Sequence, residues 1–200
     1  MDPWLREQRL KWTLIPLLVV GGAVCLTILL RDPAFDRRQL GMGVMAEGGV
    51  RRRARLLRIA GLFLLPAAGL AAYVMLFEPE RLFWLPRNNT QLWLTIMFGY
   101  PLLSVYPQEV MFRAFMFHRY RSLFPRPWMM IGASAVAFGY AHIVLHNWVA
   151  VVMTLVGGAV FARTYAMSRS TVLTSVEHAL YGCFIFTIGM GSYFYAGAMR

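Results

Sequence analysis

The chain has 200 residues, 58% of them hydrophobic and only 14% charged, with a mean hydropathy of +0.53. Soluble domains carry roughly a quarter charged residues, so this composition excludes an ordinary water-facing domain and points to the bilayer as solvent. The formal net charge of +11 comes from 19 Arg and one Lys, set mostly in short connections between apolar segments. That is how cationic residues are placed in membrane proteins, and it makes anionic lipid headgroups, not nucleic acid, the natural counter-charge.

The first apolar segment, Trp12 to Leu30, follows Arg6, Arg9 and Lys11. It exceeds the roughly 7–15 residues of a signal-peptide core and is read as a retained span. Residues 31–56 are polar and Arg-rich with a glycine patch (Gly41, Gly43, Gly48, Gly49). They are expected to form a cytoplasmic loop with an amphipathic helix at the interface. A second span is expected over 57–77 and a third over 91–106, followed without a polar loop by an apolar helix at 107–118. Pro101 and Pro107 fall inside this region, and proline kinks helices, so 91–118 is expected to be a single bent element. Further spans follow at 127–146, 148–166 and 171–197.

The fold expected is therefore an all-α, polytopic membrane bundle of six helices, with N-terminal spans over 1–90 and a core bundle over 91–200. Arg residues concentrate in loops 31–58, 119–126 and 163–169, which places those loops in the cytoplasm and both termini outside. The expected setting is a bacterial inner membrane. Trp84, Trp93 and Trp128 lie near span ends, where interfacial aromatics belong. Gly132, Ala133, Ala137, Ala141, Gly157, Gly158 and Ala162 supply the small residues that close helix packing in lipid needs. Cys25 and Cys183 lie in apolar spans far apart, with no metal or redox spacing.

Ionisable residues inside spans are rare and mark function. Glu109 and Arg113 are one helical turn apart with the acid N-terminal, the favourable order for an i,i+4 pair; a structural ion pair would need the same spacing. His142 and His146 are likewise four residues apart and could form a two-His metal edge, though His146, beside Asn147, sits at the membrane boundary. Glu177 and His178 lie inside the last span, and His178 needs a partner from a neighbouring helix. His118, next to Arg119, reads as an interfacial residue. No serine or cysteine sits in a nucleophile elbow, and no aspartate lies within a span. One glutamate and two histidines on three helices can activate water and stabilise an oxyanion, with or without a metal.

The order Gln108-Glu109-Val110-Met111-Phe112-Arg113, Phe138-Gly139-Tyr140-Ala141-His142 and His178-Ala179-Leu180-Tyr181-Gly182 resembles the CPBP family of CAAX proteases and bacteriocin-processing enzymes, also called Abi. Its pattern is Glu-Glu-x-x-x-Arg, Phe-x-x-x-His and His-x-x-x-Asn on separate membrane helices. The stretches 157–164 and 170–179 also look like the family, and the resemblance covers about 104–185. It implies an intramembrane endopeptidase acting on a membrane-associated peptide or protein. Glu109 and His142 would activate water, Arg113 would anchor the glutamate motif, and His178 would stabilise the oxyanion or help hold a metal. The resemblance leaves the metal open; Glu109, His142 and His178 would suffice as zinc ligands. Two departures stand out: Gln108 replaces the first glutamate, and Gly182 replaces the closing asparagine. Glutamine cannot act as a base, so that role would fall to Glu109 or Glu177. A relative that kept the cavity but lost turnover, acting as a membrane binding or scaffold protein, is the alternative.

Overall fold

The computed structural model describes residues 3–42 and 49–194. Its architecture is a membrane bundle of helices α1 (Pro3–Arg31), α2 (Gly49–Phe77), α3 (Trp84–Asn88), α4 (Thr90–Tyr100), α5 (Tyr106–Glu109), α6 (Met116–Tyr120), α7 (Pro127–Ala141), α8 (Trp148–Ser168) and α9 (Thr171–Thr187). Four of these carry stretches long and apolar enough to cross a bilayer, namely Thr13–Arg31, Leu56–Phe77, Pro127–Leu145 (with the turn that follows α7) and Trp148–Ser168. The outer ones are mostly lipid-facing: 11% of the α1 window and 17% of the α2 window are buried, against 28% for α7 and 39% for α8. Leu65 and Leu76 of α2 expose 80% and 74% of their surface, which only hydrocarbon would accept in a contiguous belt.

Helices α4, α5 and α6 join end to end through two wide π turns, Pro101–Val105 and Val110–Phe115. The expected kinked element is thus one unbroken helical run from Thr90 to Tyr120. Pro101 and Pro107 lack the N–H that an α-helix would use, so the ladder loosens locally instead of stopping. Within the second π turn the Phe112 carbonyl accepts a hydrogen bond from Ser134 Oγ of α7 at 2.8 Å. This run crosses the middle of the bundle, against α1 on one side and α9 on the other.

Helices α7 and α8 form an intimate antiparallel pair. A Cβ added to Gly158 would lie 3.1 Å from the Ala135 Cα and 3.2 Å from the Phe138 ring, so the backbones approach through the small residues that membrane packing favours. The side chains of Asn147 and Ser170 cap α8 and α9, accepting from Val149 N and Leu173 N respectively.

Two expectations need correction. Among its described residues the stretch 31–56 holds no separate interfacial α-helix: α2 starts at Gly49 and runs on into its span. The chain before it folds into a short 3-10 turn (Arg37–Leu40) that docks onto the core. There Thr171 Oγ1 donates to the Gln39 carbonyl at 2.7 Å, Ser170 Oγ to the Gly41 carbonyl at 2.9 Å and Tyr106 to the Leu40 carbonyl at 3.1 Å. The span expected over 127–146 is present as Pro127–Leu145, its last four residues forming a 3-10 turn after α7 ends at Ala141. α9 ends at Thr187, where Gly189 (φ +97°) reverses the chain in a left-handed conformation. Gly43 and Gly48 of the glycine patch, and the residues beyond 194, lie outside the described residues.

His118 is more than an interfacial residue. Its Nε2 donates to Asp32 at 2.8 Å and its ring meets Phe35 edge-on, fastening the end of α6 to the turn after α1. That hydrogen bond, joined by one from the Ala34 backbone, holds the Asp32 carboxyl below the ordinary aspartate range.

Candidate active site

The π-turned run delivers Glu109 and Arg113 to the centre of the molecule, where neither side chain is exposed at all. Arg113 Nε lies 3.2 Å from Glu109 Oε2, the pair expected from their spacing. Its Nη2 donates across to the Gly158 carbonyl of α8 at 3.3 Å, and its guanidinium sits 4.4 Å from the Phe138 ring centre. A cation held against an aromatic face and a carboxylate can survive burial that would otherwise expel it.

From α9, His178 supplies the partner that its depth demanded: Nδ1 donates to Glu109 Oε1 at 2.8 Å. The imidazole stacks on Phe161 of α8 at 4.6 Å and meets Phe138 edge-on at 5.4 Å. Glu109 therefore holds an arginine with one oxygen and a histidine with the other. Oε1 accepts the hydrogen bond from His178, while Oε2 faces Arg113 at ion-pair distance without a well-formed hydrogen bond.

Tyr100, on α4, closes the far side of His178. Its hydroxyl lies 3.1 Å from His178 Nε2. Gly182, one turn after His178, faces this tyrosine so closely that any Cβ there would overlap the phenol ring and its oxygen. The missing asparagine and the presence of the phenol are thus one feature. The sequence reading missed Tyr100; the signal was Gly182 itself, since a glycine one turn from a buried histidine leaves space that some neighbour must fill.

His142 stands next to this assembly but not inside it. Its Nδ1 donates to the Phe138 carbonyl at 2.8 Å, so in the neutral ring Nε2 is the nitrogen that carries the lone pair. The Phe138 ring contacts both imidazoles, 4.7 Å from His142 and 5.4 Å from His178, and no direct hydrogen bond joins them. Gln108 is buried, and its amide donates to Ser104 Oγ at 2.8 Å.

The remaining candidates lie elsewhere. His146 adopts a left-handed conformation (φ 51°) after the 3-10 turn and is exposed, so the i,i+4 metal edge with His142 does not form. Glu177 is fully buried near Thr164 and Arg58, and neither of its oxygens makes a well-formed hydrogen bond. Among the described residues no three His, Cys, Asp or Glu side chains come together in a way that could hold a metal ion. Glu109 and His178 are turned onto each other and His142 lies across Phe138, so the three-ligand zinc site does not fit this geometry.

Residues 89–184, just under half of the chain, match the family model described as type II CAAX prenyl endopeptidase Rce1-like. No curated protein and no solved structure matches the chain. The match spans every residue of the buried assembly, from Tyr100 to Gly182, and its family is one of proteases. Over this segment the chain is similar to that family, the CPBP or CAAX proteases.

Proposed function

We propose that the protein is an intramembrane endopeptidase that hydrolyses a peptide bond in a membrane-associated peptide or protein. The observation that carries this reading is His142: its Nδ1 is fixed on the Phe138 carbonyl, and its free Nε2 stands beside the buried Glu109–Arg113–His178 assembly. A neutral imidazole with an open nitrogen is a general base suited to neutral pH. Water bound there gives its proton to Nε2 as its oxygen bonds to the scissile carbonyl carbon. The same proton then passes to the amine as the C–N bond breaks. Glu109, Arg113 and His178 supply fixed charges and dipoles in a water-poor interior, where such groups stabilise a developing oxyanion most effectively. No step requires a metal.

The apolar belt on α1 and α2 supports membrane lipids as partners, and the Arg-rich loops support a site toward the cytoplasmic leaflet of a bacterial inner membrane. The family's prenyl endopeptidase description makes a lipid-anchored peptide one substrate class to test; nothing in the site selects it over an unmodified one. The competing reading, a binding or scaffold protein without turnover, is favoured by one observation: the position before Glu109 holds an amide bonded to Ser104 instead of a second carboxylate.

Cleavage of a quenched peptide library by the purified, detergent-solubilised protein separates the two. Proteolysis abolished by His142→Ala and by Glu109→Ala, and unchanged by chelator, is the expected result. Wild-type turnover no greater than that of both variants would leave the binding reading. Loss of activity on chelation would overturn the metal-free mechanism.

A further inference from the structure

We infer that Tyr100 is a positioning residue of the buried site, admitted by the absent side chain at Gly182, and that it locks His178 in a single tautomer and orientation. Three observations converge on it. The hydroxyl reaches His178 Nε2 at 3.1 Å. The opposite nitrogen, Nδ1, is engaged by Glu109 at 2.8 Å. The space a side chain at 182 would need is filled by the Tyr100 ring edge and oxygen.

The proton positions follow from the partners. Glu109 is balanced by Arg113, and a carboxylate only accepts, so the ring proton of His178 sits on Nδ1. The neutral ring then presents a lone pair at Nε2, and the Tyr100 hydroxyl donates to it. Glu109, His178 and Tyr100 form a hydrogen-bonded chain from α5 through α9 to α4 that fixes the imidazole from both edges. Phe161 stacked on its face and Phe138 against its side remove the remaining freedom. Tyr100 itself is seated by an edge contact with Phe186 at 5.8 Å. The phenol thus performs, from a different helix, the orienting task that a hydrogen-bonding side chain at position 182 could perform from within α9.

As a contribution to hydrolysis this rests on the proteolytic reading; as a tautomer lock it does not, and the experiment reads the two separately. The chain has four histidines, so selective 15N-histidine labelling of the detergent-solubilised protein gives a resolvable spectrum, with His178 assigned by His178→Gln. Tyr100→Phe keeps the ring and removes the donor. The expected result is that the His178 Nε2 signal moves toward the position of a non-hydrogen-bonded imidazole nitrogen while Nδ1 and the melting temperature stay close to wild type. Where the protein cleaves peptide, kcat falls about tenfold, the scale of one lost hydrogen bond, with KM unchanged. An unmoved Nε2 signal in Tyr100→Phe would overturn the inference whether or not the protein is a protease. A second variant guards against misfolding: Gly182→Asn should lower the melting temperature, and adding Tyr100→Ala should restore it. Gly182→Asn as stable as wild type would refute the close approach on which the inference stands.

Discussion

Removing the guanidinium of Arg113 should destabilise the protein more than any other single truncation of the site. Arg113 and Glu109 are both inaccessible and their charged atoms lie 3.2 Å apart. At that distance, with an effective dielectric of about 20, the attraction is roughly 5 kcal/mol. The desolvation of both ions offsets much of it, so the intact pair contributes little net stability. Breaking it is another matter. Arg113→Leu leaves the Glu109 carboxylate buried with His178 as its remaining partner, also discards the guanidinium–Phe138 contact, and should cost about 3–5 kcal/mol. For a chain of this size, with a shift of about 2–4 °C per kcal/mol, the melting temperature should fall by roughly 6–20 °C. The tryptophan fluorescence of the detergent-solubilised protein reports it directly. Glu109→Gln/Arg113→Leu should recover most of the loss, because no uncompensated charge remains, and the double-mutant cycle isolates the coupling. If Arg113→Leu melts within about 2 °C of wild type, the pair is not buried as described and the electrostatic account of the site fails.

Gly158→Leu should separate α7 from α8, since even its first carbon would press on Ala135 and Phe138 at 3.1 and 3.2 Å; a loss of about 1–3 kcal/mol is expected and would show as a lower melting temperature. Gln108→Glu places a second carboxylate beside Glu109, so it should raise peptide turnover while lowering thermal stability; a variant that gains neither activity nor instability would count against the role given to this position. The depressed Asp32 carboxyl makes stability fall in acid. The contribution is complete above the ordinary aspartate value of about 3.8 and is lost as pH drops through the lower folded value. Asp32→Asn should therefore flatten the acid limb of melting temperature against pH below about pH 4, whereas an unchanged limb would show that the His118 contact contributes nothing.

The parts of this site that were legible in the sequence are those encoded within one helix. Glu109 and Arg113 could be paired from their spacing because an i,i+4 relation is nearly preserved through the start of a π turn. The spans expected at 148–166 and 171–197 begin where α8 and α9 do, and the structure adds Asn147 and Ser170 as their caps. What the sequence did not reveal depends on which helices touch. His178 visibly needed a partner, but only the crossing of α5 and α9 makes that partner Glu109. Tyr100 lies 78 residues from the histidine it holds, in a stretch where one aromatic among many carries no mark. The docking of residues 37–41 on the start of α9 was hidden because it uses backbone carbonyls, which every sequence possesses.

The two π turns give the central helical run a phase that hydropathy does not record. Each wide turn amounts to one residue more than an α-helix would use over the same rise. Deleting a single residue from 110–115 would let that stretch tighten into ordinary α-helix with its flanks still in phase, whereas winding all of its present residues as α-helix would rotate everything on one side against the other by about 100°. Glu109 and Tyr100 would then swing away from His178 while Arg113 kept its place under Phe138. The segment would still read as apolar, helical and membrane-spanning. Residue count here, as much as residue identity, is part of the site's specification.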